Sequence, residues 1–347
     1  MREAAYEHGG GLDAAMARFG GRRADWLDLS TGINPSPVAL PPLDHEIWAR
    51  LPDQGLQERA IEAARGAYDA PQSAGIVAAP GSQALISLLP FVLPPDLKGC
   101  DVAILEPTYG EHRAAFEKAG HRVSALSSPQ DVAAGARIVV VVNPNNPDGR
   151  RLARDELFAL HGRMRERGGY LVVDEAFADA VPGLSVADIA GVEGLLIHRS
   201  FGKFYGLAGL RLGFALTTPA LAETLRSRLG PWAVSGPALA IGASVLTDHV
   251  ARASVAAMLQ AQAALRDRAL SAAGLGLVGA TPLFATVETP DARGLFEALC
   301  RRKILTRPFA YRPDWLRFGN PRNAAEAARL GDALGAARAD LERGVKP

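Results

Sequence analysis

Three features of this 347-residue sequence predict an α/β fold with a large, mostly parallel sheet domain and a smaller α+β domain. Short apolar, β-branched runs alternate with helical patterns through the middle of the chain, which is the signature of βαβ units. One of these runs, in 137–142, carries the uninterrupted stretch IVVVV, expected of a strand covered on both faces. After Pro231 the texture changes to a long Ala/Leu-rich segment followed by a few alternating short elements.

Taken in order, 76–79 reads as a strand and 82–89 as a helix, then 102–105 as a strand and 111–119 as a helix. The strand in 137–142 is followed by a helix over 154–167, and further strands are expected at 170–173, 195–198 and 212–216. Residues 235–273 have few helix breakers and read as one long helix or two. Beyond them a strand at 283–287, a helix at 292–301, a strand at 315–318 and a helix at 324–337 make the smaller unit. The first ~40 residues are Gly/Pro-rich without a long periodic segment and read as an arm. The expected organisation is an arm over 1–40 joining the small domain, a large domain over 41–230, and a connecting helix with the small domain over 231–347.

Composition narrows the class of function. At 48% hydrophobic and 22% charged residues the chain can bury a core, which excludes disorder throughout. Lys+Arg numbers 38 against 37 Asp+Glu, so the net charge of +1 offers no pull toward nucleic acid. Cys100 and Cys300 make no disulfide framework, and no C-x-x-C or H-E-x-x-H pattern is present, so no metal is expected. The first residues, MREAAYEHGG, lack the apolar stretch of a signal peptide. The apolar run 85–93 is interrupted by Pro90 and too short for a bilayer. The expectation is a soluble, cytoplasmic protein with no membrane partner.

In open α/β sheets ligands bind beyond the carboxyl ends of the strands, and four such junctions are unusual here. PGSQ (80–83) joins a strand to a helix: Gly81 allows close backbone approach, and the N–H groups of Ser82 and Gln83 could cradle a phosphate. Alone it also reads as a turn with a Ser cap, and there is no G-x-G-x-x-G or Walker loop. NPNNPDG (143–149) follows the IVVVV strand; a rigid turn does not need both of its adjacent asparagines. VVDEAF (172–177) ends an apolar strand on Asp174 and Glu175, where a buried carboxylate is costly unless it meets a cation. RSFGKFYGLAGLRLGF (199–214) places Lys203 among small and aromatic residues, with Ser200 before it and Arg211 after it. Apolar surroundings turn a lysine toward a nucleophilic amine, although a lone lysine is more often simply solvated.

In this order the four segments resemble the fold-type-I pyridoxal-phosphate enzymes of the aspartate aminotransferase superfamily, over nearly the whole chain. The resemblance implies a role for each residue. Lys203 would hold the cofactor's aldehyde as a Schiff base. Asp174 would keep the pyridine nitrogen protonated so that the ring acts as an electron sink. Asn146 would donate to the ring hydroxyl and also lie among the substrate contacts. Gly81, Ser82, Gln83, Ser200 and Arg211 would hold the phosphate, and Tyr109, in EPTYG, would stack on the ring. Three positions depart from the pattern. Phe177 stands where many relatives carry a Tyr that reaches the ring hydroxyl, which puts more weight on Asn146. Leu51, in RLPD, stands where transaminating relatives often carry a Tyr that reaches the neighbouring subunit's cofactor phosphate. Asp148 replaces the usual Thr of the N-P-N-N-P-T-G turn. The first two make a broad-range aminotransferase a poorer match.

The arm segments EHGGG (7–11) and LDLSTGINP (27–35), the KFY starting at Lys203, and WLRFGNP (315–321) look like the threonine-phosphate decarboxylase family of cobalamin biosynthesis. That family converts L-threonine O-3-phosphate to (R)-1-aminopropan-2-yl phosphate. By this resemblance Arg317 pairs with the substrate α-carboxylate, for which a planar guanidinium is the matching fork. Arg307 would take the substrate phosphate, with His8 and Gly9 closing over it. Gly32 stands where relatives often carry Asn, which limits any contact there to backbone. Anchoring amine, carboxylate and phosphate together would hold the Cα–carboxylate bond perpendicular to the ring, so that this bond breaks. The resemblance also implies a homodimer. The alternative is a histidinol-phosphate-type aminotransferase. A pyridoxal-binding regulator would need a DNA-binding module, for which the arm shows no pattern.

Overall fold

The computed structural model describes residues 9–343. In chain order the strands among them are β1 (Leu27–Asp28), β2 (Gly75–Ala79), β3 (Asp101–Leu105), β4 (Arg122–Leu126), β5 (Ala136–Val142), β6 (Tyr170–Asp174), β7 (Leu195–Ser200) and β8 (Gly213–Thr217). There follow β9 (Gly276–Thr281), β10 (Phe284–Glu288), β11 (Ile304–Leu305), β12 (Arg307–Phe309) and β13 (Arg312–Gly319). The chain divides into two compact units. The larger comprises Pro37–Asn146 and Arg150–Val255; the smaller takes the chain up to Ser36, Pro147–Gly149, and the chain from Ala256 onward.

The larger unit is built on a seven-stranded sheet in the order β2-β8-β7-β6-β5-β3-β4. β4, β3, β5, β6 and β7 pair in parallel, and β8 runs antiparallel to both of its neighbours. The central strands are buried along almost their whole length, as the continuous Val/Ile/Leu runs require. Val77, Ile104, Val140, Val172 and Leu196 form the shared layer of one face, with Phe116 packed on it. Because the parallel strands all end on one edge, the segments after β3, β5, β6 and β7 emerge together there. One register row links three of them: Val142 pairs with Asp174, and Asp174 with His198.

Residues 231–255 belong to this larger unit, not to the small domain expected from residue 231, and the division falls inside the helix His249–Ala272. Backbone-close packing is the reason. In the helix Gly236–Thr247, a Cβ on Gly236 would lie 2.6 Å from the Ile47 carbonyl oxygen, and one on Gly242 would lie 2.5 Å from Leu212 Cδ2. At Gly236 the close neighbour is backbone, so a side chain there would push the helix outward. The segment 235–273 is thus two helices, separated at Asp248.

The smaller unit carries an antiparallel sheet in the order β12-β13-β10-β9, with helices Ala292–Arg301 and Ala324–Glu342. Its core gathers Leu295, Phe296 and Leu299 with Val287, Leu316, Phe318 and Leu334. The N-terminal segment is more structured than an arm. It forms a helix, Leu12–Phe19, and β1 pairs in parallel with β11, Leu27 opposite Ile304. Leu12, Ala15, Leu27 and Leu29 are buried in the same core. No helix among the described residues is long and apolar enough to cross a membrane.

Candidate active site

At the end of β2 the chain turns through Gly81, whose φ of +83° suits glycine, into the helix Ser82–Leu88. A Cβ on Gly81 would lie 2.6 Å from Arg211 Nη2, and a Cβ on Gly213 would lie 2.5 Å from the Ser82 nitrogen. Two glycines therefore let a guanidinium and a backbone N–H row come together. Arg211 itself is exposed and holds a left-handed backbone, φ +54°. The Gln83 side chain turns elsewhere: Tyr109 Oη donates to Gln83 Oε1 at 2.9 Å, and Gln83 Nε2 donates to Glu111 Oε2 at 3.0 Å.

Asp174, the last residue of β6, is buried, and its carboxylate is held on both sides. Oδ1 accepts from the Ala176 N–H at 3.0 Å, and Oδ2 lies 2.9 Å from His112 Nε2. Burial alone would raise the carboxyl; the His112 hydrogen bond and the nearby imidazoles outweigh it and hold the group below the usual carboxylate range. The carboxylate is thus kept ionised in an apolar setting. The partner that meets Asp174 is His112, from helix Glu111–Lys118, which the sequence reading does not single out. The second carboxylate of the pair, Glu175, turns away from the strand edge into the interior. There Arg199 is clasped by Glu175 Oε2 and Asp179 Oδ1, both at 2.6 Å, and its guanidinium carbon lies 4.1 Å from the centre of the Tyr68 ring. Burial weakens the Arg199 hold on its proton, but the two carboxylates more than restore it, and the net displacement is upward.

The Asn-rich turn separates structural from available amides. Asn143 makes a paired bond with the Leu152 backbone, accepting at 2.9 Å and donating at 3.1 Å. Asn145 accepts from Thr108 Oγ1 at 2.5 Å and donates to the Pro107 carbonyl at 2.8 Å. Those bonds lock the turn behind Asn146, which is buried at the end of the larger unit's segment. The tip that follows belongs to the smaller unit, where the Pro147 carbonyl accepts from Thr286 Oγ1 at 2.5 Å.

Lys203 sits in the one-turn helix Phe201–Phe204, directly after Ser200 ends β7. Phe201, Phe204 and Tyr205 are fully buried around it and pin the turn. A Cβ on Gly202 would lie 2.6 Å from Ala208 Cα, so the following loop closes against the turn. Lys203 Nζ lies 5.9 Å from the centre of the Phe177 ring, which brings the departure at 177 beside the amine. The larger unit thus places Gly81, Ser82, Gln83, Tyr109, Asn146, Asp174, Ser200, Lys203 and Arg211 on elements that share the carboxyl edge of its sheet or adjoin it.

The residues expected to bind substrate anions lie in the smaller unit. Arg307 on β12 stands opposite Arg317 on β13. Arg317 is buried and donates through Nη2 to the Ser30 carbonyl at 2.8 Å. Burial first, and the facing Arg307 charge second, hold its guanidinium well below its ordinary proton affinity. Gly32 is buried, and Gly9 lies against Ser30, where a Cβ would come 2.5 Å from the carbonyl oxygen. His8 lies outside the described residues.

A glycine-lined turn with a guanidinium at its mouth suits a phosphate, and an ionised buried carboxylate suits a protonated ring nitrogen. Set beside a lysine on a rigid turn, this donor set fits a phosphorylated aromatic aldehyde. The family model described as aminotransferase class I and II matches residues 44–334, and the chain belongs to that family. Within it, the chain is 48% identical over 330 residues to a threonine-phosphate decarboxylase of Sinorhizobium sp., covering 94% of this chain and 97% of that one. It is 40% identical to a threonine-phosphate decarboxylase of Pseudomonas aeruginosa, with the same shares covered. The fold is shared with a solved histidinol-phosphate aminotransferase from Sinorhizobium meliloti in complex with pyridoxal-5'-phosphate. That match has a TM-score of 0.78 at 19% identity and covers 95% of this chain and 94% of that one.

Proposed function

We propose that this chain is a pyridoxal-phosphate-dependent decarboxylase of L-threonine O-3-phosphate, yielding (R)-1-aminopropan-2-yl phosphate for cobalamin biosynthesis. The observation that carries the reading is the 48% identity to a threonine-phosphate decarboxylase along 94% of the chain. Bound to an amine through its aldehyde, pyridoxal phosphate supplies an electron sink for the pair released when a bond to the substrate α-carbon breaks. Lys203 supplies that amine. Asp174, kept ionised by His112, holds a proton on the ring nitrogen. Asn146 donates to the ring hydroxyl, a duty that Phe177 cannot share. The Ser82 and Gln83 N–H groups, the Ser200 hydroxyl and Arg211 hold the cofactor phosphate, and Tyr109 covers the ring. Arg317 takes the substrate carboxylate and Arg307, with His8 and Gly9, its phosphate. Two guanidiniums directly opposite one another across β12 and β13 support a substrate with more than one anionic group. Holding both anions at once, Arg317 and Arg307 would fix the orientation of the substrate α-carbon.

The same reading includes a cytoplasmic homodimer. Leu40, Trp48, Leu51 and Trp232 of the larger unit are 58–67% exposed, an apolar surface that a second copy would cover.

Purified enzyme with phosphothreonine and no 2-oxo acid should release CO₂ catalytically and leave aminopropanyl phosphate by mass spectrometry. Borohydride should fix the cofactor to Lys203. Turnover of histidinol phosphate that needs a 2-oxo acid, with no CO₂ from phosphothreonine, would establish the aminotransferase instead.

A further inference from the structure

His198 is out of keeping with its strand. β7 reads Leu-Leu-Ile-His-Arg-Ser and is buried at every position. The His198 ring is fully buried, and neither Nδ1 nor Nε2 has a hydrogen-bond partner among the described residues. A neutral imidazole carries one donor and one acceptor, and burying both unpaired is costly where a leucine would cost nothing. Its surroundings show what it stands beside. His198 pairs with Asp174 in the β6–β7 register, so both side chains leave the sheet on the same face. Its ring lies nearly parallel to that of His112, at 13°, with the centres 6.3 Å apart. His112 in turn meets Asp174 Oδ2 at 2.9 Å. Among the described residues, the titratable groups that act on His198 are Asp174 from the neighbouring strand and His112 from the helix above it.

We propose that His198 is a positioning residue for the cofactor's ring nitrogen: a neutral N–H dipole that supports the Asp174 carboxylate in place of excluded water, without adding a cation. The proposal rests on the reading of Asp174 as partner of that nitrogen. A cation at 198 would neutralise Asp174 and weaken its hold on the ring proton. An apolar side chain would leave the buried carboxylate with fewer dipoles around it. Burial keeps the imidazole uncharged: it pushes the group down to about 4, the Asp174 charge restoring only part of the loss, so near neutral pH the ring offers a dipole and no charge.

The test uses the full chain as wild type, His198→Gln and His198→Leu, with His198→Met as a second apolar variant should the leucine form not fold. Two quantities are read: the dissociation constant of pyridoxal phosphate from the apoprotein, and the ¹⁵N shift of the ring nitrogen in bound, labelled cofactor. The shift reports whether that nitrogen carries a proton. Glutamine keeps an N–H dipole and cannot titrate, so it should stay within about threefold of wild-type affinity with the ring nitrogen protonated. Leucine or methionine should weaken binding roughly tenfold and move the shift toward the unprotonated value. If an apolar variant matches wild type in both quantities, or if folded His198→Gln behaves like the apolar variant, His198 is packing alone and the proposal is overturned. An unprotonated ring nitrogen in wild type, or an unchanged shift in Asp174→Asn, would instead overturn the reading of Asp174.

Discussion

In the larger unit the buried cation Arg199 stands between Glu175 and Asp179, each 2.6 Å away, and these charges close on one another. In the smaller unit the buried cation Arg317 stands opposite Arg307 and donates to the Ser30 carbonyl. Burial penalises both guanidiniums, yet the proton affinity of Arg199 ends above the ordinary value and that of Arg317 well below it. The contrast separates two uses of a buried arginine. One is consumed by the fold, fastening β7 to the segment after β6. The other is held below its ordinary proton affinity, by burial first and by the facing Arg307 charge second.

The largest effect should come from breaking the closed side. Arg199→Met strands Glu175 and Asp179 without their cation, and should lower unfolding free energy by about 3–5 kcal/mol in urea titrations. A loss below about 1 kcal/mol would show that Arg252, which also reaches Asp179 at 3.3 Å, is enough to compensate. Asp174→Asn keeps the shape of the cofactor's partner and removes its charge. Pyridoxal phosphate should still bind, while decarboxylation in single-turnover assays falls about 100-fold or more. Arg317→Lys keeps the charge but loses the fork. Both kcat and KM should worsen, roughly tenfold in kcat/KM, with stability little changed. An unaltered kcat/KM would move the carboxylate contact to another residue.

The smallest effect is a pH slope. His198 is held at about 4 in the folded protein against 6.5 for a free imidazole. Between these values the unfolded chain binds the extra proton and the folded chain does not, so stability should fall as pH drops through that window. The His198 contribution is about 1.4 kcal/mol per pH unit at most. Urea midpoints measured across the window should show this slope flattened in His198→Gln. An equal slope in both proteins would assign the acid sensitivity to other groups.

The strands that carry the site were legible because burial on both faces leaves continuous apolar runs, as in β5. β4 was not, since Arg122, Ser124 and Ala125 are exposed at the edge of the sheet and break any pattern. The helix Gln54–Ala67 was also missed. Its buried face is Leu56 with Ala60, Ala63, Ala64 and Ala67, too small a set of side chains to stand out as a stripe. β9, with glycines at 276 and 279, lacks β-branched density; at Gly279 a Cβ would collide with the Asp148 carbonyl. Among functional positions, Lys203, Asp174 and Asn146 announce themselves by standing at strand ends. His112 and His198 do not, because a histidine on a helix or in a strand has no spacing that ties it to a distant carboxylate. The sole hint was a histidine directly after the apolar run Leu195–Leu196–Ile197.

The pairing of β1 with β11 has a consequence during synthesis. All seven strands of the larger sheet lie between Gly75 and Thr217, so that unit's framework emerges from the ribosome as one continuous stretch. Leu27, by contrast, must wait for Ile304. At ~5–20 residues per second that is a delay of roughly 15–55 s. Throughout it the apolar side chains of Leu12, Leu27 and Leu29 have no core to enter, since that core is encoded by the last quarter of the chain. The N-terminal segment therefore reaches its packed place only after the chain has been made through Ile304.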